Sequence, residues 1–275
     1  MKAGAVMKSI LLLCAILLCP GCASEKICDP PCQEWEECID GTCTPPPCCP
    51  DAPADEIHIS VSGRALDITT GQGVSVAVEP MLPDYPSPPP NPPPPVRSDE
   101  NGNFETDCFN VTNVALGVLL MTDDYPPDNG DGAYFPAISG AAGWDTNVEK
   151  VCIYDAKVYT VPNTLVAALD ADTSVDSHNY GFVIGRVVDS SGDPVAGAVI
   201  TKGDGTNLVE VIYPDASLTT FDGTVTSESG IFVLPHTNFA GGITEVVAEK
   251  DGMPFGAEKA APKAGCTYVV YILGY

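Results

Sequence analysis

The chain has 275 residues, among them 27 prolines and 26 glycines, and no long segment repeats its apolar residues with a helical period, so short strands are expected. Its formal net charge is −25 at pH 7. Such an acidic surface repels phosphate backbones and anionic lipid headgroups, which argues against nucleic-acid binding and against electrostatic attachment to a membrane.

The N-terminus carries the features of a secretory leader. Lys2 and Lys8 precede an apolar run at residues 10–18. This order of charge and then hydrophobicity is typical of exported proteins. The run is too short to cross a bilayer, which needs about 20 apolar residues.

The end of the leader resembles a bacterial lipoprotein signal, in which a small residue precedes a cysteine that is lipidated and becomes the mature N-terminus. Gly21 and Cys22 match this pattern, whereas Cys19 and Pro20 depart from it. The resemblance implies a signal peptide over residues 1–21, lipid on Cys22, and a place at the outer membrane or cell surface. Cleavage by an ordinary signal peptidase, giving a periplasmic or secreted protein, is the alternative.

Residues 22–50 are rich in cysteine and poor in aliphatic residues, so disulfides are expected to hold this segment together. Zinc is the competing interpretation, but the segment has no histidine and lacks paired C-x2-C spacing. The cysteines expected in disulfides here are Cys28, Cys32, Cys38, Cys43, Cys48 and Cys49. Closely spaced prolines at residues 44–55 favour an extended chain, with a linker assigned to residues 51–55.

Module 1 is assigned to residues 56–160. Ile57, Ile59 and Val61 alternate with polar residues, which predicts a strand with one buried face and His58 on the other. A proline-rich insertion at residues 82–95 cannot lie in a central strand and is expected to protrude. It is interpreted as a rigid spacer, with a ligand for aromatic-lined grooves as the alternative.

The second half of module 1 shows a turn and a closing strand. Asn101-Gly102 is a hairpin signal, after which Phe104 begins an inward face. Residues 151–161 are the predicted closing strand. A connector at residues 161–179 follows, with a helical turn at residues 164–169 that Asn163 or Thr164 could cap.

Module 2 is assigned to residues 180–275. Its first 22 residues, YGFVIGRVVDSSGDPVAGAVIT, contain two apolar runs separated by an Asp-Ser-Ser-Gly-Asp-Pro turn, as in a β-hairpin. Residues 61–78 repeat the Gly-Arg-x-x-Asp start, the glycine turn and the second apolar run, so the same module is predicted twice. Gly197 is expected in a core strand, close to another backbone.

This pattern resembles the carboxypeptidase regulatory-like domain, a transthyretin-like antiparallel sandwich. The matching residues in module 2 are Gly185, Val187, Asp189, Gly192, Pro194, Val195, Gly197, Ala198, Val199, Gly230, Phe232 and Leu234. Module 1 matches less closely, since Gly73 replaces the usual proline and the proline-rich insertion interrupts it. The expected fold is therefore all-β, with two antiparallel β-sandwich modules of transthyretin or immunoglobulin type after a short disulfide-rich segment. A fold of this kind does not by itself determine an activity.

The densest carboxylate cluster lies at residues 123–132. Asp124, Asp128 and Asp131 are weak candidate ligands for Ca²⁺, which prefers hard oxygen donors. Their spacing does not fit the helix-loop-helix calcium pattern, so an acidic turn is favoured and no metal site or cofactor is assigned. Nearby Tyr125, Tyr134 and Trp144 are weak candidates for stacking on sugar rings, with burial as the alternative.

Cysteine parity yields a further prediction. Cys108 follows the Phe104 strand and Cys152 lies in the closing strand of the same module, so a bridge between them is expected. With Cys22 acylated, nine cysteines of the mature chain remain and cannot all pair, so Cys266 is left over and is predicted to be a buried free thiol. An intermolecular bridge that gives a dimer is the alternative.

Catalytic signatures are lacking. The three histidines occur in no His-Glu-x-x-His pattern, and there is no Gly-x-Ser-x-Gly. The function predicted is a non-catalytic envelope protein that presents its modules for structural or protein-binding roles, with an envelope or extracellular protein, or a glycan, as partner. A carbohydrate-binding surface module is the first alternative, and a hydrolase with an unrecognised site is the second.

Overall fold

The computed structural model describes residues 37–39, 42–44, 49–53, 55–81, 93–112, 118–128, 131–142, 152–204, 208–239 and 242–274, with backbone only before residue 49. Strands are the main regular secondary structure of these residues, so the prediction of an all-β chain is confirmed. The chain divides into two compact units, Met1–Pro46 and Pro47–Tyr275. Neither of the two α-helices described is long and apolar enough to span a bilayer.

The first unit contains one short hairpin among its described residues. Strand β1 (Glu37–Ile39) pairs with β2 (Thr42–Thr44), and Cys38 lies opposite Cys43. The predicted disulfide cysteines Cys28, Cys32 and Cys48, like the lipidation candidate Cys22, lie outside the described residues. The same holds for most of the insertion at residues 82–95.

Module 1 is a sandwich of two four-stranded sheets with a small additional pair. Its strands are β3 (His58–Ile59), β4 (Val61–Asp67), β5 (Ala77–Met81), β6 (Val96–Arg97), β7 (Asn103–Glu105), β8 (Phe109–Asn110), β9 (Val118–Asp123), β10 (Tyr134–Phe135), β11 (Ala137–Ala142) and β12 (Ile153–Pro162). The first sheet has the order β10-β12-β4-β7, and the second runs β6-β5-β9-β11. Strands β3 and β8 pair with each other.

The connector contains two helices, α1 (Asn163–Asp172) and α2 (Ser177–Tyr180). The predicted helix thus exists, but its predicted caps are wrong. Pro162 occupies the N-cap position and makes no side-chain cap, while Nδ2 of Asn163 donates to the carbonyl of Gly132 at 2.7 Å. Proline at the N-cap cannot accept through a side chain, so the amides of the first turn lack that partner.

Module 2 repeats the sandwich with fewer strands. They are β13 (Phe182–Val188), β14 (Val199–Lys202), β15 (Ile231–Pro235), β16 (Thr244–Lys250), β17 (Met253–Ala260) and β18 (Thr267–Leu273), with a 3-10 helix at His236–Phe239. Strands β15, β13 and β18 form its first sheet, and β14, β16 and β17 form its second.

The two modules share one sheet. Strand β11 of module 1 pairs in parallel with β18 of module 2, from Ala137 opposite Thr267 to Ser139 opposite Val269. The result is a seven-stranded sheet with the order β15-β13-β18-β11-β9-β5-β6. The closing strand of each module is also parallel to the strand that contains the Gly-Arg pair of the repeat, as β12 is to β4 and β18 is to β13. The sheets are therefore mixed, where the sequence resemblance implied antiparallel pairing.

Three clusters of buried apolar side chains stabilise this unit. One lies inside module 1 around Phe104, and one lies inside module 2 around Phe232. The third, called the junction core, draws side chains from both modules and from the connector. Its members are Leu66, Ile68, Phe135, Ala137, Tyr159, Val161, Leu165, Val166, Leu169, Val175, Phe182, Ile184, Ile212, Ile231, Val233 and Val269.

The internal repeat extends to individual hydrogen bonds. In module 1 the buried hydroxyl of Ser98 donates to the carbonyl of Val74 and accepts from the amide of Val76. In module 2 the buried hydroxyl of Thr226 donates to the carbonyl of Val195 and accepts from the amide of Ala198. Each hydroxyl thus links the segment before β7 or β15 to the opposite sheet of its module through hydrogen bonds.

The expectation for Gly197 is wrong. Its φ is +81° and a Cβ atom there would meet nothing within 4 Å, so this residue lies in an open turn rather than in a packed strand. Glycines of β4 and β13 instead lie close to other atoms. A Cβ on Gly63 would overlap the carbonyl of Ala156, and one on Gly185 would overlap the ring of Phe232.

The predicted bridge between Cys108 and Cys152 is also wrong. Cys108 is bonded to Cys49, 59 residues earlier, because Cys49 is buried in the core of module 1 rather than grouped with the cysteine-rich segment. Cys152 belongs to a different disulfide. Cys266 is a buried free thiol, and burial raises its pKa. Module 1 therefore begins earlier than residue 56, and residues 49–53 form a turn instead of an extended linker.

Candidate functional site

The acidic loop after β9 brings together part of the predicted carboxylate set. Carboxylate oxygens of Asp123, Asp124 and Asp128 lie within 4.8 Å of one another. Asp123 is only 3% exposed, and Asp124 and Asp128 are half-buried. Asp131 is not a member of this group: it is exposed, and its amide donates to Oδ1 of Asp128 at 3.1 Å.

Backbone amides hold the carboxylates of this loop in position. Oδ1 of Asp123 accepts from the amide of Asp124 at 2.7 Å, and Oδ2 of Asp124 accepts from the amide of Tyr134 at 2.8 Å. A side chain at Gly132 would overlap the carboxylates of Asp124 and Asp128. Carboxylate oxygens are the kind of ligand that a hard cation such as Ca²⁺ prefers. The hydrogen bonds from backbone amides are enough to explain how these carboxylates are positioned.

The candidate aromatic residues do not form a shared platform. Tyr125 is 48% exposed, and the guanidinium of Arg97 lies over its ring at 5.4 Å from the centroid. Tyr134 is half-buried in β10, where burial raises its pKa, and it pairs with Pro162. Trp144 lies outside the described residues.

The three histidines occupy separate places. His58 is half-buried, and its Nε2 lies 2.6 Å from Oε2 of Glu56. His178 packs edge-on against Phe135, and His236 stacks on Tyr180 at 4.2 Å between ring centroids. Within the described parts of the chain, the carboxylate group at Asp123 is the only cluster of three or more potential metal ligands. No histidine belongs to it.

A groove of about 700 Å³ runs along the outer edge of β7. We call it the β7 groove, and the residues that line it include Ser62, Ser75, Arg97, Asp99, Phe104 and Glu105. Strand β7 ends the first sheet of module 1 and β6 ends the second, so the groove lies between two sheet edges. The sequence does not reveal this groove, because a gap between sheets depends on which segment covers the edge.

A second depression, of about 450 Å³, lies on module 2 beside the stacked rings of Tyr180 and His236. Both Tyr180 and Ile243 are exposed there. Nδ1 of His236 is buried and has no hydrogen-bond partner among the described residues. The sequence predicted a hairpin from Tyr180 onward, whereas Tyr180 ends α2 and β13 begins at Phe182, and nothing in the sequence indicated that the Tyr180 ring would be exposed.

Comparison with known proteins assigns no family. No family model matches the sequence, and no curated protein matches it. The structure is similar to the Bacillus anthracis TIE protein at a TM-score of 0.24 and 11% identity, covering 79% of this chain and 34% of that one. This chain thus spans about a third of the TIE protein.

Two pilins give similar values. For the shaft pilin SpaA of Lactobacillus rhamnosus GG the TM-score is 0.23 at 12% identity, covering 80% of this chain and 98% of that one. For the Streptococcal ancillary pilin it is 0.22 at 12% identity, covering 80% of this chain and 63% of that one. Similarities at this level assign neither a fold nor a function to the chain.

Proposed function

We propose that this chain is a non-catalytic, exported and lipid-anchored envelope protein in which the two joined modules form a stiff platform for structural or protein-binding contacts. The observation that carries the proposal is the union of the modules through β11, β18 and the junction core. A large apolar interface within a chain restricts domain motion, whereas polar interfaces permit it.

The junction has the packing that stiffness requires. Phe135 of module 1 and Phe182 of module 2 lie 6.1 Å apart between ring centroids, and Tyr159 stacks on Tyr271 at 5.3 Å. Three of these four side chains are almost completely buried. Separating the modules would therefore expose aromatic surface and break the parallel ladder at the same time.

Export and anchoring are supported by the N-terminal sequence and by the disulfides. The leader and the Gly21-Cys22 pair motivate the lipid anchor. The Cys49–Cys108 disulfide fits an oxidising compartment. The outer membrane or the cell surface is the location proposed.

Cell fractionation with mass spectrometry tests the anchor. The mature wild-type protein should sediment with membranes and carry acyl mass on Cys22, while Cys22→Ser should be released. Cys19→Ser is the matched control, since it changes a leader cysteine that the mature chain lacks, and it should stay with membranes. A mature wild-type chain with an unmodified N-terminus would overturn the anchor.

A carbohydrate-binding module is the second candidate, and the exposed ring of Tyr125 is the observation that favours it. The guanidinium of Arg97 lies over one face of that ring, so a sugar would have to stack on the other face. Glycan titration followed by intrinsic fluorescence tests this candidate, with Tyr125→Ala as the variant that should abolish any response. Incubation with peptide, ester and glycoside substrates tests the non-catalytic assignment, and turnover above buffer would contradict it.

A further inference from the structure

The outer edge of the first sheet can be compared residue by residue between the modules. Gly63 pairs with Phe104 in module 1, as Gly185 pairs with Phe232 in module 2. One residue further along, Ser62 pairs with Glu105, and Ile184 pairs with Val233. Glu105 on β7 is therefore the counterpart of Val233 on β15.

In module 2 this edge is closed by the chain itself. The amide of Ile212 donates to the carbonyl of Val233 at 2.9 Å, and the amide of Val233 donates to the carbonyl of Ile212 at 2.8 Å, as in one antiparallel pair. Val211 and Tyr213 pack into the core of module 2, whereas Ile212 enters the junction core. The hydroxyl of Tyr213 also accepts from the amide of Ile200 on β14 at 2.8 Å, so this segment spans both sheets.

In the described part of module 1, the equivalent edge has no paired strand. Among the described residues, no strand pairs with the outer side of β7, and the β7 groove lies where residues 211–213 lie in module 2. Apart from Phe104, the side chains that line it are polar or charged. Ser62 and Glu105 replace the buried pair Ile184 and Val233, and Glu105 is exposed.

The charge of the groove indicates what can bind. Asp99, Glu100 and Glu105 are exposed carboxylates on its wall, and hydrogen bonds from Asn103 lower the pKa of Asp99. Its single cation, Arg97, lies over the Tyr125 ring and donates from Nε to Oγ of Ser75 at 3.0 Å. A second copy of this chain is a poor occupant, because two molecules of net charge −25 repel each other.

We propose that the β7 groove binds an extended basic segment of a partner protein, which adds one antiparallel strand to β7 through the backbone of Glu105. The added strand takes the place that residues 211–213 hold in module 2. Its central side chain is Lys or Arg, set against the Glu105 carboxylate, and its two flanking side chains are apolar or aromatic and face Phe104. Strand addition of this kind supplies affinity through main-chain hydrogen bonds and specificity through alternate side chains.

This inference rests on the proposed protein-binding role, and titration with capped peptides tests it. The probe is a fluorescently labelled heptapeptide, Gly-Lys-Val-Lys-Tyr-Lys-Gly, followed by anisotropy with the full-length protein. The comparison peptides replace every Lys by Glu or carry an N-methyl group on the central Lys. The Lys peptide should bind, the Glu peptide should not, and N-methylation should weaken binding about tenfold or more, because it removes one main-chain donor.

Protein variants locate the site. Glu105→Pro removes the amide of β7 that faces the groove and should also weaken binding about tenfold or more. Glu105→Ala is the matched control, because it keeps the amide while removing the carboxylate, and its loss should be smaller. The N-methyl peptide tests the backbone contact independently, should Glu105→Pro fail to fold.

Two results would overturn the inference. Absence of binding by the Lys peptide at low ionic strength would show that the groove does not take a basic strand. Equal binding by the Lys peptide and its N-methylated form would show charge attraction without strand addition. Either result leaves the membrane fractionation of the Cys22→Ser variant unchanged, so failure here is distinguishable from failure of the proposed anchoring.

Discussion

Module 1 and module 2 have the same strand framework but different means of stabilising their first sheets. The outer face of β13 is covered by α1 and module 1, and all of its residues except Arg186 are buried. The outer face of β4 carries Ser62 and Arg64, which remain partly or fully exposed. Burial thus stabilises β13 on both faces, whereas the outer face of β4 is buried only where Leu66 enters the junction core.

In module 1, disulfides compensate for the lower burial of the outer face of β4. The Cys49–Cys108 disulfide joins the segment before β3 to the segment after β7, and Cys152 beside β12 lies in another disulfide. Module 2 has a single cysteine, the buried thiol of Cys266. Module 1, with its partly exposed outer face, resembles the polar terminal units that cap repeat proteins. Unlike module 2, it also contains disulfides.

The largest effect is expected from removing the disulfide of module 1. Replacing both Cys49 and Cys108 by Ala should lower the free energy of unfolding by about 4 kcal/mol, because the bridge closes a loop of 59 residues in the unfolded chain. Denaturant unfolding measures this. Cys266→Ala in module 2 is the control and should cost less than half as much, and equal losses would contradict the contrast between the modules.

A matched pair of substitutions tests the difference in burial directly. Ile184 is 0% exposed in the junction core, so Ile184→Ala should destabilise the protein by about 2–5 kcal/mol. Its counterpart Ser62 faces the β7 groove, and Ser62→Ala should change stability by about 0.5 kcal/mol or less. Similar losses in thermal unfolding would mean that both faces are equally buried.

The buried hydroxyls should contribute equally in the two modules. Ser98→Ala and Thr226→Ala each leave a buried amide without its acceptor and should each cost about 1–3 kcal/mol. Thr226→Ser keeps the hydroxyl and is the control for both. A loss from Thr226→Ser as large as that from Thr226→Ala would assign the effect to the methyl group instead.

A smaller effect is expected from substituting Gly197, and its cause is the backbone conformation of that residue. Its φ of +81° disfavours side chains with a Cβ branch, so Gly197→Val should cost about 1–2 kcal/mol. Gly197→Asn should cost less, because Asn tolerates the left-handed region. Equal melting temperatures for the Val and Asn variants would contradict this explanation.

The smallest effect at neutral pH comes from buried tyrosines. Burial raises the pKa of Tyr213 above its usual value of 10.0, which means that the folded state holds this proton more tightly than the unfolded state. Its contribution to stability is complete below pH 10.0 and is lost as the pH rises through the higher pKa of the folded state. Melting temperatures measured at increasing alkaline pH should fall, and Tyr213→Phe should reduce this dependence.

Local patterns predicted the elements of this fold well. Alternation placed a strand at Val61, and the apolar run at residues 151–161 corresponds to β12. The Asn101-Gly102 signal marks a real turn, in which the amide of Gly102 donates to the carbonyl of Asp99 at 2.9 Å. These features depend on residues close in sequence, which is why sequence alone reveals them.

Long-range features could not be predicted in the same way. The pairing of Ser139 with Val269 joins strands of different modules, and neither strand carries a local sign of its partner. The same limit explains the error at Cys108, whose partner Cys49 was assigned to the cysteine-rich segment by proximity in sequence. At the candidate site, Asp123 was missed because its burial beside Asp124 depends on tertiary packing.

The Cys49–Cys108 disulfide also determines how a pulling force applied at the N-terminus would pass through the chain. Tension applied at the N-terminus reaches Cys49 and crosses directly to Cys108, so the residues between them cannot be stretched. Module 2 has no such shortcut, and its first strand β13 lies parallel to its last strand β18 over seven paired residues. Because pulling on the ends of parallel neighbours shears the ladder, these hydrogen bonds resist the force together instead of opening one after another.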